Sequence, residues 1–170
     1  MDIKDQNYLS LQFWDKVFRK SGIEFQSFFE DIMQKAYPDF KKIRPYGNLG
    51  DGGNDGYVPS KGYYYQVYSP QDPNTREAEA AQKFKDDFYK VKNNWDSIKP
   101  IIKYHFVYNN KNNGSTILME KALSDLENQE KPIMFEIFTP NKLQTIFLDL
   151  PPAKILQLGF NIDSTKAIER

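Results

Sequence analysis

A short acidic segment rich in glycine carries the residue types best suited to chemistry. It spans residues 50–56 with the sequence GDGGNDG, and Gln66 follows in the next strand-like run. Carboxylates and neutral oxygen ligands suit a hard divalent cation, Mg²⁺ above all. Such a cation can hold a phosphate group and acidify a water molecule. Asp51, Asp55 and Gln66 are therefore candidate metal ligands.

A predicted β-hairpin decides whether these side chains meet. If residues 60 and 61 form a two-residue turn, Asp55 lies opposite Gln66. Since side chains alternate along a strand, Tyr68 then lies on the same face as both. A longer turn would shift every pair, so this register is a hypothesis.

Glu30 is a further acidic candidate, on the helix predicted before the glycine-rich segment. It lies four residues after Gln26 and borders the apolar face of that helix. The segment 50–56 also has a purely structural interpretation, because aspartate, asparagine and glycine all favour turns. It lacks the spacing of an EF-hand, of a Walker loop and of a dinucleotide-binding fingerprint.

Hydrophobic periodicity predicts the elements that would position these residues. Helices are predicted over residues 8–19, 24–36, 77–92 and 115–127, the last with Ser115 as N-cap and Leu118, Ala122 and Leu126 buried. Strands are predicted over 40–45, 57–59, 62–68, 101–108 and 133–138, and two short helices around residues 143–147 and 155–156 follow. This order indicates an α/β domain whose mixed sheet carries helices on both faces.

The composition indicates one globular domain, residues 1–160, followed by a polar tail, residues 161–170. The 170 residues suffice for a core, and 15% of them are aromatic. The absence of cysteine excludes disulfides and thiolate metal sites, and a single histidine excludes a multi-histidine zinc centre within one chain. No run is apolar enough for a signal peptide or a membrane span, so we expect a cytoplasmic protein without a membrane partner.

Charge and the isolated polar residues give weaker signals. Lys plus Arg and Asp plus Glu both number 23, a balance that counts against tight nonspecific binding of DNA. His105 lies in a predicted strand, where packing is favoured over catalysis. The lysines within residues 83–92 are interpreted first as a solvated helix face, with phosphate contact as the alternative.

The order of these motifs resembles the PD-(D/E)XK restriction-endonuclease superfamily, and within it the Mrr-like branch. That branch shows a leading helix with a glutamate, a Gly-Asp-x-Gly-x-Asp-Gly motif, and a strand that ends in Gln-x-Lys or Glu-x-Lys. Here Glu30, the segment 50–56 and Gln66 stand in these positions, and the resemblance covers residues 22–150. It implies a restriction-endonuclease-like fold with a mixed central sheet flanked by helices.

The resemblance also implies a role for each matched residue. Asp55 would be a metal ligand, Gln66 the second ligand and Glu30 an auxiliary acid. Tyr68 occupies the position of the family's lysine, where its phenol offers a hydrogen bond but no positive charge. Asn54 is a smaller departure, since an apolar residue usually stands there.

A metal-dependent nuclease is the function that this resemblance implies. It would use Mg²⁺, with Mn²⁺ as a substitute, to hydrolyse phosphodiesters of DNA in an anti-phage or restriction system, together with a protein partner or a second copy. Lys83 or Lys85 would supply the positive charge that the family's lysine provides and Tyr68 lacks. Both of these lysines and Lys61 would contact nucleic acid. The alternative is a nuclease fold that has lost catalysis and serves as a binding or assembly module. The missing lysine and the neutral net charge favour this alternative.

Overall fold

The computed structural model describes residues 1–162, which form six α-helices and one five-stranded sheet. The helices are α1 (Ile3–Arg19), α2 (Gly22–Ala36), α3 (Glu77–Trp95), α4 (Ile117–Gln129), α5 (Pro140–Leu148) and α6 (Pro152–Gln157). The strands are β1 (Lys41–Lys42), β2 (Gly56–Val58), β3 (Tyr63–Tyr68), β4 (Lys103–Tyr108) and β5 (Met134–Phe138). Most of the predicted tail, residues 163–170, lies outside the described residues. No helix of the described part combines the length and the apolarity that a membrane crossing requires.

The sheet is mixed and has the order β1-β2-β3-β4-β5. The first three strands are antiparallel neighbours, whereas β3, β4 and β5 run parallel. Parallel neighbours need a crossover connection, which α3 supplies between β3 and β4 and α4 between β4 and β5. The structure thus confirms the α/β class and the mixed sheet flanked by helices.

Each face of the sheet packs against its own helices. On one face, α1, α2 and α5 bury a core that includes Phe13, Phe29 and Phe147. On the other face, α3 and α4 bury a core that includes Phe84 and Tyr104. Because large aromatic side chains fill both layers, the central strands β3 and β4 are fixed between them.

The β2–β3 hairpin has the predicted register. Gly56 pairs with Tyr65, and Tyr57 pairs with Tyr64. The strands end at Val58 and begin again at Tyr63, so residues 59–62 form the connection and the turn is two residues longer than predicted, with the same register. This register brings the acidic end of the glycine-rich segment against the later part of β3.

Two predicted boundaries near the N-terminus are wrong. The first helix begins at Ile3 and not at residue 8, because Asp2 caps it and accepts a hydrogen bond from the Asp5 N–H at 2.8 Å. The strand predicted over residues 40–45 is reduced to β1. After it the chain leaves the sheet as an exposed loop.

The start of α4 is also displaced from its predicted position. Thr116 and not Ser115 is the N-cap, and its Oγ1 accepts from the Met119 N–H at 3.3 Å. Met119 consequently faces the core, whereas Leu118 is 46% exposed. The predicted burial of Leu118 is therefore wrong, while Ala122 is buried as expected.

His105 is buried on β4, as the sequence predicts. Its ring stacks on Tyr65 with 4.2 Å between the ring centroids, and its Nδ1–H donates to the Tyr64 carbonyl at 3.0 Å. Burial lowers the pKa of His105 to about 4, although the hydrogen bond to Tyr64 opposes this effect. The imidazole is therefore neutral at pH 7.

We expect stability to fall as the pH falls from about 6.5 to about 4, because the unfolded state protonates His105 before the folded state does. This stabilisation is complete above the unfolded pKa and is lost as the pH falls through the folded pKa. The expected loss is on the order of 2–3 kcal/mol, at about 1.4 kcal/mol per pKa unit. Urea unfolding at several pH values measures it.

His105→Phe is the matched control for this pH dependence. It keeps an aromatic ring against Tyr65 and removes the titrating group, whereas the charged neighbours Lys103, Glu136 and Lys142 remain. The variant should lose the histidine component and keep the contribution of Glu136, whose pKa is lowered. An unchanged pH dependence in the variant would contradict this account.

Gly53 lies where the glycine-rich segment packs against α3. Its φ is +80°, and an added Cβ would lie 2.8 Å from both the Asp87 carbonyl oxygen and Lys90 Cβ. Gly53→Ala should therefore lower the free energy of unfolding by about 2–4 kcal/mol, from backbone strain and overpacking together. Gly114 has the same φ and nothing within 4 Å, so Gly114→Ala should cost only the strain, about 1 kcal/mol. Equal losses in urea unfolding would remove the packing explanation.

Candidate functional site

Asp55 is buried at the end of the hairpin, and both of its carboxylate oxygens accept hydrogen bonds. Oδ2 accepts from the Val67 N–H at 2.7 Å, and Oδ1 accepts from Gln26 Nε2 at 3.2 Å. The Asp55 N–H donates to the Tyr65 carbonyl at 3.0 Å. Asp55 thus bonds to the backbone on both sides of Gln66. Asp55 therefore lies opposite residues 65–67, as the predicted register requires.

Gln26 joins Asp55 to Glu30. Its Nε2 also donates to Glu30 Oε1 at 2.9 Å. Gln26 and Glu30 lie one turn apart on the same face of α2, and Glu30 is only 8% exposed. Lys42 of β1 lies 3.9 Å from Glu30 Oε2. The structure therefore brings the predicted auxiliary acid to Asp55 through a shared amide.

Gln66, the second predicted metal ligand, carries a neutral oxygen on β3. Its Oε1 is buried and has no hydrogen-bond partner among the described residues. An unpaired buried acceptor is costly, and an amide oxygen is an ordinary ligand for a hard cation. This atom therefore fits the predicted metal ligand.

Asp51 lies in the same segment and is fixed by its own hydrogen bonds. Its Oδ1 accepts from the Gly53 N–H at 2.9 Å, and its carbonyl accepts from Trp95 Nε1 at 3.0 Å. Within residues 1–162, no three His, Cys, Asp or Glu side chains are grouped so as to hold a metal ion. A cation here would therefore need the amide oxygen of Gln66 in addition to the carboxylates.

The buried acids have perturbed ionisation. Burial raises the pKa of Asp55 to about 8, the Val67 N–H opposes the rise, and the Asp51 and Glu30 carboxylates add to it. Burial also raises the pKa of Glu30. Such shifts are characteristic of functional sites. A bound divalent cation would offset the buried negative charge and favour the ionised carboxylates.

Tyr68 and Lys83 meet at the carboxyl end of β3. The Tyr68 hydroxyl donates to Glu79 Oε1 at 3.0 Å, and Lys83 Nζ lies 5.6 Å from the centre of the Tyr68 ring. Lys83 Nζ also lies 3.5 Å from Asp87 Oδ2. Burial raises the pKa of Tyr68 to about 12, so the phenol stays protonated. A lysine from α3 thus lies beside the residue that stands in the motif's lysine position.

The structure separates Lys85 and Lys61 from these residues. Lys85 pairs with Asp125 of α4 at 2.9 Å, on another side of α3. Lys61 lies at the tip of the hairpin, with Nζ 5.2 Å from the centre of the Tyr37 ring. The tip is the opposite end of the hairpin from Asp55.

Three polar residues join the site without having been predicted: Gln26, Lys42 and Asp87. The signal for Gln26 was its spacing of four residues before Glu30 on one helix face. Asp87 is 3% exposed and precedes Phe88 on the buried side of α3. Lys42 had no comparable signal, since only the folded sheet brings β1 to α2.

No protein-family model, curated protein or solved structure matches the chain. The fold and the site together define an α/β domain with a buried acidic site at the end of a β-hairpin. Its membership of the PD-(D/E)XK superfamily stays a prediction from the sequence motifs.

Proposed function

We propose that this chain is a metal-dependent nuclease domain with a restriction-endonuclease-like fold, which hydrolyses phosphodiesters of DNA within an anti-phage or restriction system. The observation that carries the proposal is the buried Asp55 carboxylate, which lies opposite residues 65–67 of β3, together with the unpartnered Oε1 of Gln66. Glu30 is joined to that carboxylate through Gln26. An antiparallel hairpin followed by a helical crossover to a parallel strand also agrees with the proposed fold.

Asp55 and Gln66 are the residues that would hold Mg²⁺ or Mn²⁺, with Asp51 assisting. Carboxylate and amide oxygens are the ligands that such hard cations prefer. When bound, the ion would supply an acidified water and neutralise phosphate charge. Nothing in the donor set disagrees with this ion, since neither cysteine nor histidine is needed.

The protein's own side chains have separate tasks. Gln26 orients the Asp55 and Glu30 carboxylates by donating to both. Glu30 has a raised pKa and can hold a proton next to Asp55. The Lys83 ammonium, held between Asp87 and the face of Tyr68, would stabilise the negative charge that develops on the phosphate.

A plasmid assay tests the proposal. Supercoiled plasmid incubated with the protein should be nicked in the presence of Mg²⁺ or Mn²⁺, and EDTA should stop the reaction. Trp95 should report metal binding by a change in fluorescence, because its indole is bonded to Asp51. Intact plasmid at high protein concentration with both metals would overturn the proposal.

A second candidate function is a nuclease-fold module without catalysis, which binds nucleic acid or protein within a defence complex. One observation favours it: Tyr68 stands in the lysine position and is already bonded to Glu79. For this candidate, the plasmid assay with Mg²⁺ or Mn²⁺ should leave the plasmid intact. Binding of a partner or a second copy would then be the measured function.

A further inference from the structure

The segment between α2 and the acidic site, residues 41–49, is basic and lacks acids. Its sequence, KKIRPYGNL, carries three positive charges and no carboxylate, in a chain whose formal net charge is zero. We call this segment the basic loop. A local excess of this size is the pattern that a phosphate-bearing partner would recognise.

The basic loop exposes two large side chains. Tyr46 is 82% exposed and Leu49 is 75% exposed. Arg44, between them and the sheet, is also exposed. Among residues 1–162, neither Arg44 nor Lys41 forms an ion pair, whereas Lys42 pairs with Glu30 and Asp31. The exposed cations are therefore available to a partner.

Hydrogen bonds give the basic loop a defined shape. The Tyr46 N–H donates to the Gly50 carbonyl at 3.0 Å, and the Gly50 N–H donates to the Gly47 carbonyl at 3.3 Å. Both glycines have φ near +58°, a conformation that glycine adopts at little cost. Tyr46 is thus presented on a closed turn, which lowers the entropy lost when it is bound.

The basic loop begins at the candidate site. Lys42 pairs with Gly56 across β1 and β2, and the Ile43 N–H donates to the Asp55 carbonyl at 3.2 Å. Arg44 and Tyr46 therefore extend from the sheet directly after the contact with Asp55. A nucleic-acid strand at Asp55 would have the basic loop beside it.

We infer that the basic loop is a nucleic-acid contact, in which Lys41 and Arg44 bind backbone phosphates and Tyr46 stacks on an unpaired base. The inference rests on the proposed nuclease function and specifies its substrate as a strand with an accessible base. Aromatic stacking beside cationic side chains is the general mode of binding single strands. Two cations without an ion pair in the described part of the chain, Lys41 and Arg44, beside an exposed aromatic ring favour this partner over a protein surface of mixed charge.

Binding without cleavage tests the inference. Fluorescently labelled single-stranded and duplex oligonucleotides are titrated with the full chain in EDTA, at several salt concentrations. We expect the single strand to bind more tightly. Arg44→Ala combined with Tyr46→Ala should weaken that binding about 10-fold or more, as expected from losing one stacked base and one phosphate contact. The slope of the logarithm of the binding constant against the logarithm of the salt concentration should become shallower by about one unit.

Matched controls are available on α1. Arg19 is exposed and, within the described part of the chain, its one ion pair is with Asp15. Leu11 is 72% exposed, so Arg19→Ala and Leu11→Ala should bind like the wild type. Equal binding by the basic-loop variant and the wild type would overturn the inference. So would wild-type binding to phosphatidylserine vesicles with none to oligonucleotides.

This experiment separates the inference from the proposed function. Oligonucleotide binding that depends on Tyr46, in a protein that leaves plasmid intact with Mg²⁺ and Mn²⁺, supports the basic loop and rejects the nuclease. Nicking with binding that is insensitive to Arg44 and Tyr46 supports the nuclease and rejects the basic loop.

Discussion

Asp55→Asn should lower the rate of metal-dependent plasmid nicking by about 100-fold or more, at least the loss seen when a group that only orients a metal ligand is removed. The amide lacks the negative charge that a hard cation prefers. Its oxygen can still accept from the Val67 N–H, which Asp55 Oδ2 does at 2.7 Å. The amide nitrogen cannot accept from Gln26 Nε2, as Asp55 Oδ1 does at 3.2 Å. The chemical loss must therefore be separated from the structural loss of this one hydrogen bond.

Stability measurements separate these two causes. Burial disfavours the charged form of Asp55, so the neutral asparagine should leave the free energy of unfolding at pH 8 unchanged or higher. The Trp95 response to Mn²⁺ should disappear with the activity. A variant that nicks plasmid at the wild-type rate would show that Asp55 is not a ligand.

Asp86→Asn is the control for this substitution. Asp86 is exposed on α3 and accepts from Gln82 one turn earlier at 2.9 Å. Both the nicking rate and the Mn²⁺ response should stay at the wild-type level. A loss in Asp86→Asn as large as in Asp55→Asn would point to a general effect of charge.

The register of the hairpin could be predicted because local chemistry determines it. A short connection centred on residues 60 and 61 fixes every pair along β2 and β3, and the observed pairing of Gly56 with Tyr65 agrees with it. The position of Asp55 opposite residues 65–67 could therefore be predicted from residues 55–66 alone. The mixed sheet could be predicted too. Helices separate the later strands in sequence, and such crossovers are what parallel neighbours require.

The helix ends were less predictable because neighbouring residues compete as caps. Ser115 and Thr116 are both good N-caps, and the sequence does not decide between them. Thr116 is the N-cap in the structure, and its hydroxyl also donates to Glu77 at 3.0 Å. That contact joins α4 to α3, so it depends on tertiary structure.

The rest of the site depends on contacts between distant elements. Gln26 donates to Asp55 across 29 positions of sequence, and no local pattern encodes such a bond. Asp87 looks like part of a charged helix surface in the sequence, yet it is buried between two lysines that flank it at 3.5 and 3.7 Å. The glycine-rich segment explains its burial, since Gly53 packs directly against the Asp87 backbone.

Lys83→Ala should lower the nicking rate by about 100-fold, the usual order for removing one group that stabilises transition-state charge. The Lys83 ammonium is held by Asp87 and the Tyr68 ring, at the end of β3 where the motif calls for a lysine. Because the side chain would act on the phosphate and not on the cation, Mn²⁺ should still change the fluorescence of Trp95. This response distinguishes the variant from Asp55→Asn.

Lys85→Ala is the matched control, two residues along the same helix. Positions two apart on a helix face different directions, and Lys85 is directed to Asp125. Lys85→Ala loses an ion pair that is about one-third exposed on both sides, worth about 0–1 kcal/mol. Lys83→Ala takes a cation from a carboxylate that is only 4% exposed, so it should lower the free energy of unfolding more, and urea unfolding must first show that both variants are folded under the assay conditions. Only Lys83→Ala should lose activity. If the two variants nick plasmid at the same rate, Lys83 does not replace the missing lysine, and the tyrosine at position 68 would then favour the module without catalysis.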